Sequence, residues 1–149
     1  MLVSGAFRWR HVGVKLRSRL KIVGILNGCG PKGGPKGGWL ASVLPSRILG
    51  LHIEEFCDWH DFNYTIGGKE ADRVKADWQF YEATYAQAIA LTESSCKRWL
   101  RPLYTFVAWA LYRAVWLDGR RHFHYGDPRS EEDVMLLLSA AERELGIAA

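Results

Sequence analysis

Residues 57–64 read CDWHDFNY and set Cys57, His60, Asp61 and Tyr64 at i, i+3, i+4 and i+7. On a helix these four share one face, with His60 and Asp61 turned about 100° apart around the axis. An imidazole among carboxylates is the material of general-base chemistry. A carboxylate that accepts from one ring nitrogen fixes the tautomer and leaves the other nitrogen to take a proton. The motif pairs no serine or cysteine nucleophile with the histidine, so water is the reactant to be activated. Asp61 points elsewhere and suits a second task. A carboxylate combined with main-chain carbonyls from an extended loop holds a hard cation such as calcium, which takes about six to eight oxygen ligands. The competing reading of a lone His-Asp pair is a polar interruption of a core helix.

The elements that would position these groups are helices. Helical spacing runs over 53–66, Gly67-Gly68 breaks it, and it resumes over 69–91 with Val74, Trp78, Tyr81, Tyr85 and Ala88 on one face. Two antiparallel helices joined by a glycine turn are predicted. Asp77 falls beside that stripe, between Val74 and Trp78, so its carboxylate is expected to face the first helix. An inward carboxylate needs a partner, and His60 is the natural one. The loop that a cation would need is NGCGPKGGPKGG at 27–38, two tandem copies of PKGG in a stretch half of which is glycine, where neither helix nor strand should survive.

Ahead of the loop, Val12, Leu16, Leu20 and Val23 recur among Arg8, Lys15, Arg17, Arg19 and Lys21, describing a basic amphipathic helix interrupted by Gly13. A third helix is predicted over 98–117, ending at Gly119. A fourth, over 131–145, opens with Ser130 as N-cap and Glu131, Glu132 and Asp133 in its first turn. No segment predicts a strand, and the fold class is all-α. His52, His122 and His124 read as turn or packing residues, and Trp78, Trp99, Trp109 and Trp116 as core. Trp39, beside the glycine loop and near Lys36, is a candidate interface contact.

Residues 1–53 carry nine Lys/Arg and no acid, whereas 54–149 carry eleven against sixteen Asp/Glu, so the basic end is expected to face something anionic. An apolar fraction of 48% excludes a disordered chain. Three cysteines allow at most one intrachain pair and leave one thiol free. The first 26 residues hold no apolar run long enough for a signal peptide. The stretch 99–117 is broken by Arg101, Pro102 and Arg113, and is expected to be a buried helix rather than a membrane span. The compartment is left open.

A helical C-x-x-H-D-x-x-Y preceded by a glycine-rich loop bearing Cys29 resembles the phospholipase A2 superfamily, in particular its small all-helical bacterial, fungal and phage-associated members. ADWQFYE at 76–82 is similar to the next helix of bacterial and parvoviral members, with Asp77 and Phe80 in place. AWALYRAVWLDG at 108–119 is similar to their closing helix, so the likeness runs from 27 to about 119. The resemblance implies a small domain with two antiparallel catalytic helices and a glycine-rich calcium loop. It implies His60 as the base, Asp77 as the group that orients it, and Tyr64 as a hydrogen-bond partner of Asp77. Asp61 would ligate Ca2+ with Asn27 and Gly28, and with Gly30 and Gly33 behind them. Cys29 would pair with Cys57 to clamp the loop to the catalytic helix, leaving Cys96 unpaired. The chain departs from the family pattern where the second PKGG lengthens the loop and adds Lys32 and Lys36, and where Asn63 stands in place of the cysteine of animal enzymes.

The organisation expected is a basic N-terminal segment, 1–26, a phospholipase A2-like domain, 27–126, and a C-terminal amphipathic helix, 127–149. The partner expected is a phospholipid membrane surface met by Trp39, Lys36, Arg17, Arg19 and Lys21, with no nucleic acid and no protein partner inferred. The function expected is calcium-dependent hydrolysis of the sn-2 ester of glycerophospholipids; the alternative is a non-catalytic membrane-binding module of the same fold. A metal phosphohydrolase would need a further upstream histidine, and His52 is poorly placed for it.

Overall fold

A computed structural model describes residues 14–26, 47–94 and 96–147 of the chain. In chain order these form α1 (Val14–Ile22), a minimal hairpin of β1 (Arg47–Ile48) and β2 (Leu51–His52), α2 (Ile53–Ile66), α3 (Glu70–Leu91), α4 (Arg101–Asp118) and α5 (Glu131–Glu144), with 3-10 turns at Arg98–Leu100 and Gly119–Arg121. The all-α expectation holds. The hairpin has no counterpart in the sequence reading: Arg47 faces His52 and Ile48 faces Leu51 across a turn whose two central residues, Leu49 and Gly50, both have positive φ. Such a turn matches the twist of paired strands, but two residues per strand are too few for any periodicity to register.

The corner between α2 and α3 is made by its glycines. Gly67 and Gly68 sit at φ 77° and 137°, and a methyl group on Gly67 would lie 2.1 Å from the His124 carbonyl oxygen. No other residue fits both the backbone and the space. Beyond it, Asp72 accepts from the Lys69 amide at 2.8 Å and starts α3. The segment after α4 then straps this corner: His124 N donates to Tyr64 O, Gly68 N to His124 O, and Arg129 N to Ile66 O.

α2 is packed on two sides. Cys57 joins Leu51, Ile53, Phe80, Ala88, Tyr104 and Leu111 in a cluster with α3 and α4. Phe62, on the other side, joins Leu20 and Leu26 near α1 with Val134 and Leu138 of α5. The segments flanking 27–126 therefore share a core with the candidate catalytic helix. α5 begins as expected, with Asp133 N donating to Ser130 Oγ and Ser130 N donating to the Asp133 carboxylate.

Two expectations are corrected. The inward stripe of α3 is Arg73, Ala76, Asp77, Phe80, Thr84 and Ala88, whereas Val74, Trp78 and Tyr85 are exposed. α4 is not a buried helix: it buries Tyr104, Ala108 and Leu111 and exposes Leu103, Phe106, Trp109 and Leu117, with Trp99 exposed just before it.

Candidate active site

His60 and Tyr64 stand one turn apart on α2, and the glycine corner folds α3 back so that Asp77 meets both. His60 Nε2 is 2.8 Å from Asp77 Oδ1, and the Tyr64 hydroxyl donates to the same oxygen at 2.5 Å. A carboxylate oxygen accepts, so in the neutral ring Nε2 carries the proton and Nδ1 is the basic nitrogen. The imidazole packs against Tyr64, with ring centroids 4.0 Å apart, and against Phe80 at 5.4 Å. His60 is 4% exposed and Asp77 0%. Burial, together with the bond to Asp77 and the charge on it, pushes the Tyr64 phenol well above its ordinary range, so it remains a donor.

The other carboxylate oxygen is taken by a group that the sequence reading missed. Arg73 Nη1 donates to Asp77 Oδ2 at 2.6 Å, and Arg73 is only 1% exposed. Its remaining nitrogens reach outward to Glu70, Nε at 3.0 Å and Nη2 at 2.8 Å. Glu70 also accepts from the Tyr125 hydroxyl at 2.6 Å. Arg73 first, then Tyr125, hold the Glu70 carboxyl down to about 2, and the bonds to Glu70 push the Arg73 guanidinium above its ordinary range. A chain of charged groups thus runs from the surface, through Glu70, Arg73 and Asp77, to the imidazole. The i, i+3 and i, i+4 spacing of Glu70, Arg73 and Asp77 is the signal that was available.

Gly119 is a second missed participant. A methyl group there would lie 2.1 Å from the Tyr64 hydroxyl oxygen. Its φ of −59° is ordinary, so the position is kept small for space and not for backbone conformation.

Asp61 is half-buried beside the dyad, and its side chain or backbone makes further contacts, among them Thr65 Oγ1 donating to its carbonyl at 2.9 Å. The other expected calcium ligands, Asn27, Gly28, Gly30 and Gly33, lie outside the described residues, as do Cys29, Lys36 and Trp39. Among the described residues no group of three or more His, Cys, Asp or Glu side chains is placed to hold a metal. A cation would depend on Asp61 together with main-chain carbonyls, a hard oxygen set that suits calcium. Cys57 is buried. Cys96 is free and exposed.

Cations of the basic segment make ion pairs within the chain. Arg19 Nε and Nη2 each donate to Glu142 at 2.7 Å. Lys21 Nζ lies 3.0 Å from Glu54 and 2.6 Å from Asp58. Two of the cations assigned to a membrane are therefore engaged by carboxylates of the same chain, and Arg17 is half-buried with contacts of its own. Asp58 is itself buried, with Oδ1 lacking a hydrogen-bond partner among the described residues; burial raises its carboxyl against the pull of Lys21.

The chain matches no family model, no curated protein and no solved structure.

Proposed function

We propose that this protein hydrolyses the sn-2 ester of glycerophospholipids with water activated at His60. The observation that carries the reading is the single Asp77 carboxylate that takes His60 Nε2 and the Tyr64 hydroxyl on one oxygen and Arg73 on the other. Nδ1 of His60 takes a proton from the attacking water, Asp77 stabilises the resulting imidazolium through Nε2–H, and the same Nδ1 returns the proton to the leaving alkoxide. Tyr64 and Phe80 fix the ring plane by packing, so the base needs little reorganisation. Asp61, with Asn27 and the main-chain carbonyls of Gly28, Gly30 and Gly33, would hold calcium, which supplies positive charge for the ester carbonyl oxygen when bound.

The test is release of fatty acid from phospholipid labelled at the sn-2 position. Release by the parent in millimolar calcium, lost in chelator and lost in His60→Gln, supports the reading. Vesicle binding without release under any calcium concentration rejects it in favour of a non-catalytic membrane-binding module.

A further inference from the structure

α4 carries large apolar residues on its outer side as well as on its inner one. Its inner side, Tyr104, Ala108 and Leu111, is buried, with Tyr104 and Leu111 in one cluster with Phe80 and Ala88 of α3. Counting about 100° per residue, the opposite side presents Leu103, Phe106, Trp109 and Leu117, and Trp99 prolongs that stripe from the turn before the helix. Trp99 is 76% exposed, Phe106 59% and Leu117 67%. The Phe106 and Trp109 rings lie 5.7 Å apart and form a continuous aromatic surface. The one charged residue on this outer side is Arg113, whose guanidinium lies 4.6 Å over the Trp116 ring. A helix with an apolar stripe on its outer side as well as on its inner one is a helix with a cover.

The charges select the cover. From Arg101 to Leu117 there is no acid. Lys97 and Arg98 are exposed at the start of the stripe and Arg121 at its end, where Arg120 is engaged by Glu70 at 3.4 Å. Asp118, the acid at the C-terminal end, is engaged by His122 at 3.2 Å. A second copy of the chain seated on this face would bring cations against cations, with no carboxylate from 101 to 117 to meet them. An anionic bilayer surface satisfies both features, since Trp, Phe and Leu settle at the boundary between headgroups and acyl chains while flanking Lys and Arg meet phosphate. None of the described helices is long and apolar enough to cross a membrane, so α4 would lie in the plane of the interface. α5 offers the contrast: it exposes Leu136 and has Leu145 exposed at its end, but also the acids Glu131, Glu132, Asp133 and Glu144, which an anionic surface repels.

We propose that the outer face of α4, with Trp99, Leu103, Phe106, Trp109 and Leu117 as its apolar contacts, is the surface by which this protein docks on an anionic phospholipid bilayer. It supplies the membrane contact for the lipolytic reading above and rests on that reading, while docking itself is measured without hydrolysis.

The full-length protein is co-sedimented with vesicles of phosphatidylcholine, with and without phosphatidylglycerol, in EDTA. The expected result is preferential binding to the anionic vesicles. Joint Trp99→Ala and Phe106→Ala substitution lowers the partition coefficient roughly tenfold or more, and Lys97→Gln with Arg98→Gln lowers it less but flattens its salt dependence. Leu136→Ala on α5 binds as the parent does, and melting temperatures stay unchanged because every substituted side chain is exposed. Equal binding of the Trp99/Phe106 variant and the parent overturns the proposal, as does equal binding to neutral and anionic vesicles. So does a concentration-dependent dimer of the parent that the double variant dissolves, which would give the face to a second copy. A parallel assay on short-chain phospholipid below its micelle concentration separates the two readings. Docking through α4 without hydrolysis of the monomers removes the lipolytic reading alone, whereas monomer hydrolysis with vesicle binding insensitive to α4 removes the docking surface alone.

Discussion

Arg73 and Asp77, one turn apart on α3 and both withdrawn from water, share a bond of 2.6 Å between Nη1 and Oδ2, on the side of the carboxylate away from His60. The group that would orient the base is thus held from both sides. Arg73 makes the burial of Asp77 tolerable, and it also draws on the negative charge that an imidazolium would use.

Arg73→Met leaves Asp77 Oδ2 buried without its donor. Removing one partner of a buried pair is expected to cost about 3–5 kcal/mol of folding free energy, measured by urea denaturation. With the cation gone, Asp77 is no longer held on the side away from His60, so kcat of the proposed hydrolysis is expected to fall more than KM changes. Parental stability together with an unchanged kcat would show that Arg73 is neither a support nor a positioning residue.

Gly119→Ala places a methyl group where the Tyr64 hydroxyl stands and should destabilise by about 1–3 kcal/mol. Tyr64→Phe alone removes one hydrogen bond, about 1 kcal/mol, and relieves most of that clash. The cost of Gly119→Ala should therefore be smaller in the Tyr64→Phe background. Strict additivity of the two in a double-mutant cycle would mean that the contact does not exist.

Neighbouring residues of the motif are expected to separate in role. His60→Gln should abolish ester hydrolysis and leave calcium affinity nearly intact. Asp61→Asn should weaken calcium binding by calorimetry and lose activity as a consequence. Asp77→Asn should lower activity with calcium binding preserved, because the imidazolium loses its counter-charge and the tautomer is no longer fixed. Full calcium affinity in Asp61→Asn would remove it from the ligand set.

The Glu70 carboxyl is held from the ordinary 4.5 down to about 2, chiefly by Arg73 and then Tyr125. The folded chain therefore binds that proton more weakly than the unfolded one. This contribution to stability is complete above about pH 4.5 and is lost as pH falls toward 2. Acid titration of the parent should show a stability loss in that window that Glu70→Gln lacks. Glu70 is exposed to solvent, so added salt should diminish the difference.

The pairing of Cys57 with Cys29 is a proposal that mass mapping checks. Protein purified without reductant should yield a Cys29–Cys57 peptide and an alkylated Cys96. Reduction should cost about 3–4 kcal/mol for a loop of this length. Alkylation of Cys29 as a free thiol would exclude the bridge.

Much of the geometry around His60 is local, and local geometry is legible. The 57–60–61–64 spacing depends only on the helical repeat, the Gly67-Gly68 corner on a conformation that glycine alone adopts readily, and the start of α5 on Ser130 and Asp133 capping each other. Asp77 is expected inward from the sequence and is inward, but the stripe that carries it there is a different one. α3 carries two stripes about 100° apart, and hydropathy favours the aromatic one, Val74, Trp78, Tyr81 and Tyr85. The stripe that packs contains Arg73 and Asp77, which no scale scores as core because each is costly to bury alone and only the bonded pair is tolerated there.

Tertiary structure alone decided the rest. Arg19 finds Glu142 across 123 positions of sequence and Lys21 finds Glu54 across 33, so a segment that reads as a free basic face is engaged by acids that no local pattern connects to it. The same holds for α4, whose composition reads as core from every side. A sequence states how apolar a helix is; which of its sides meets a neighbour, and which is left to meet something else, is determined by how many helices the chain can pack around it.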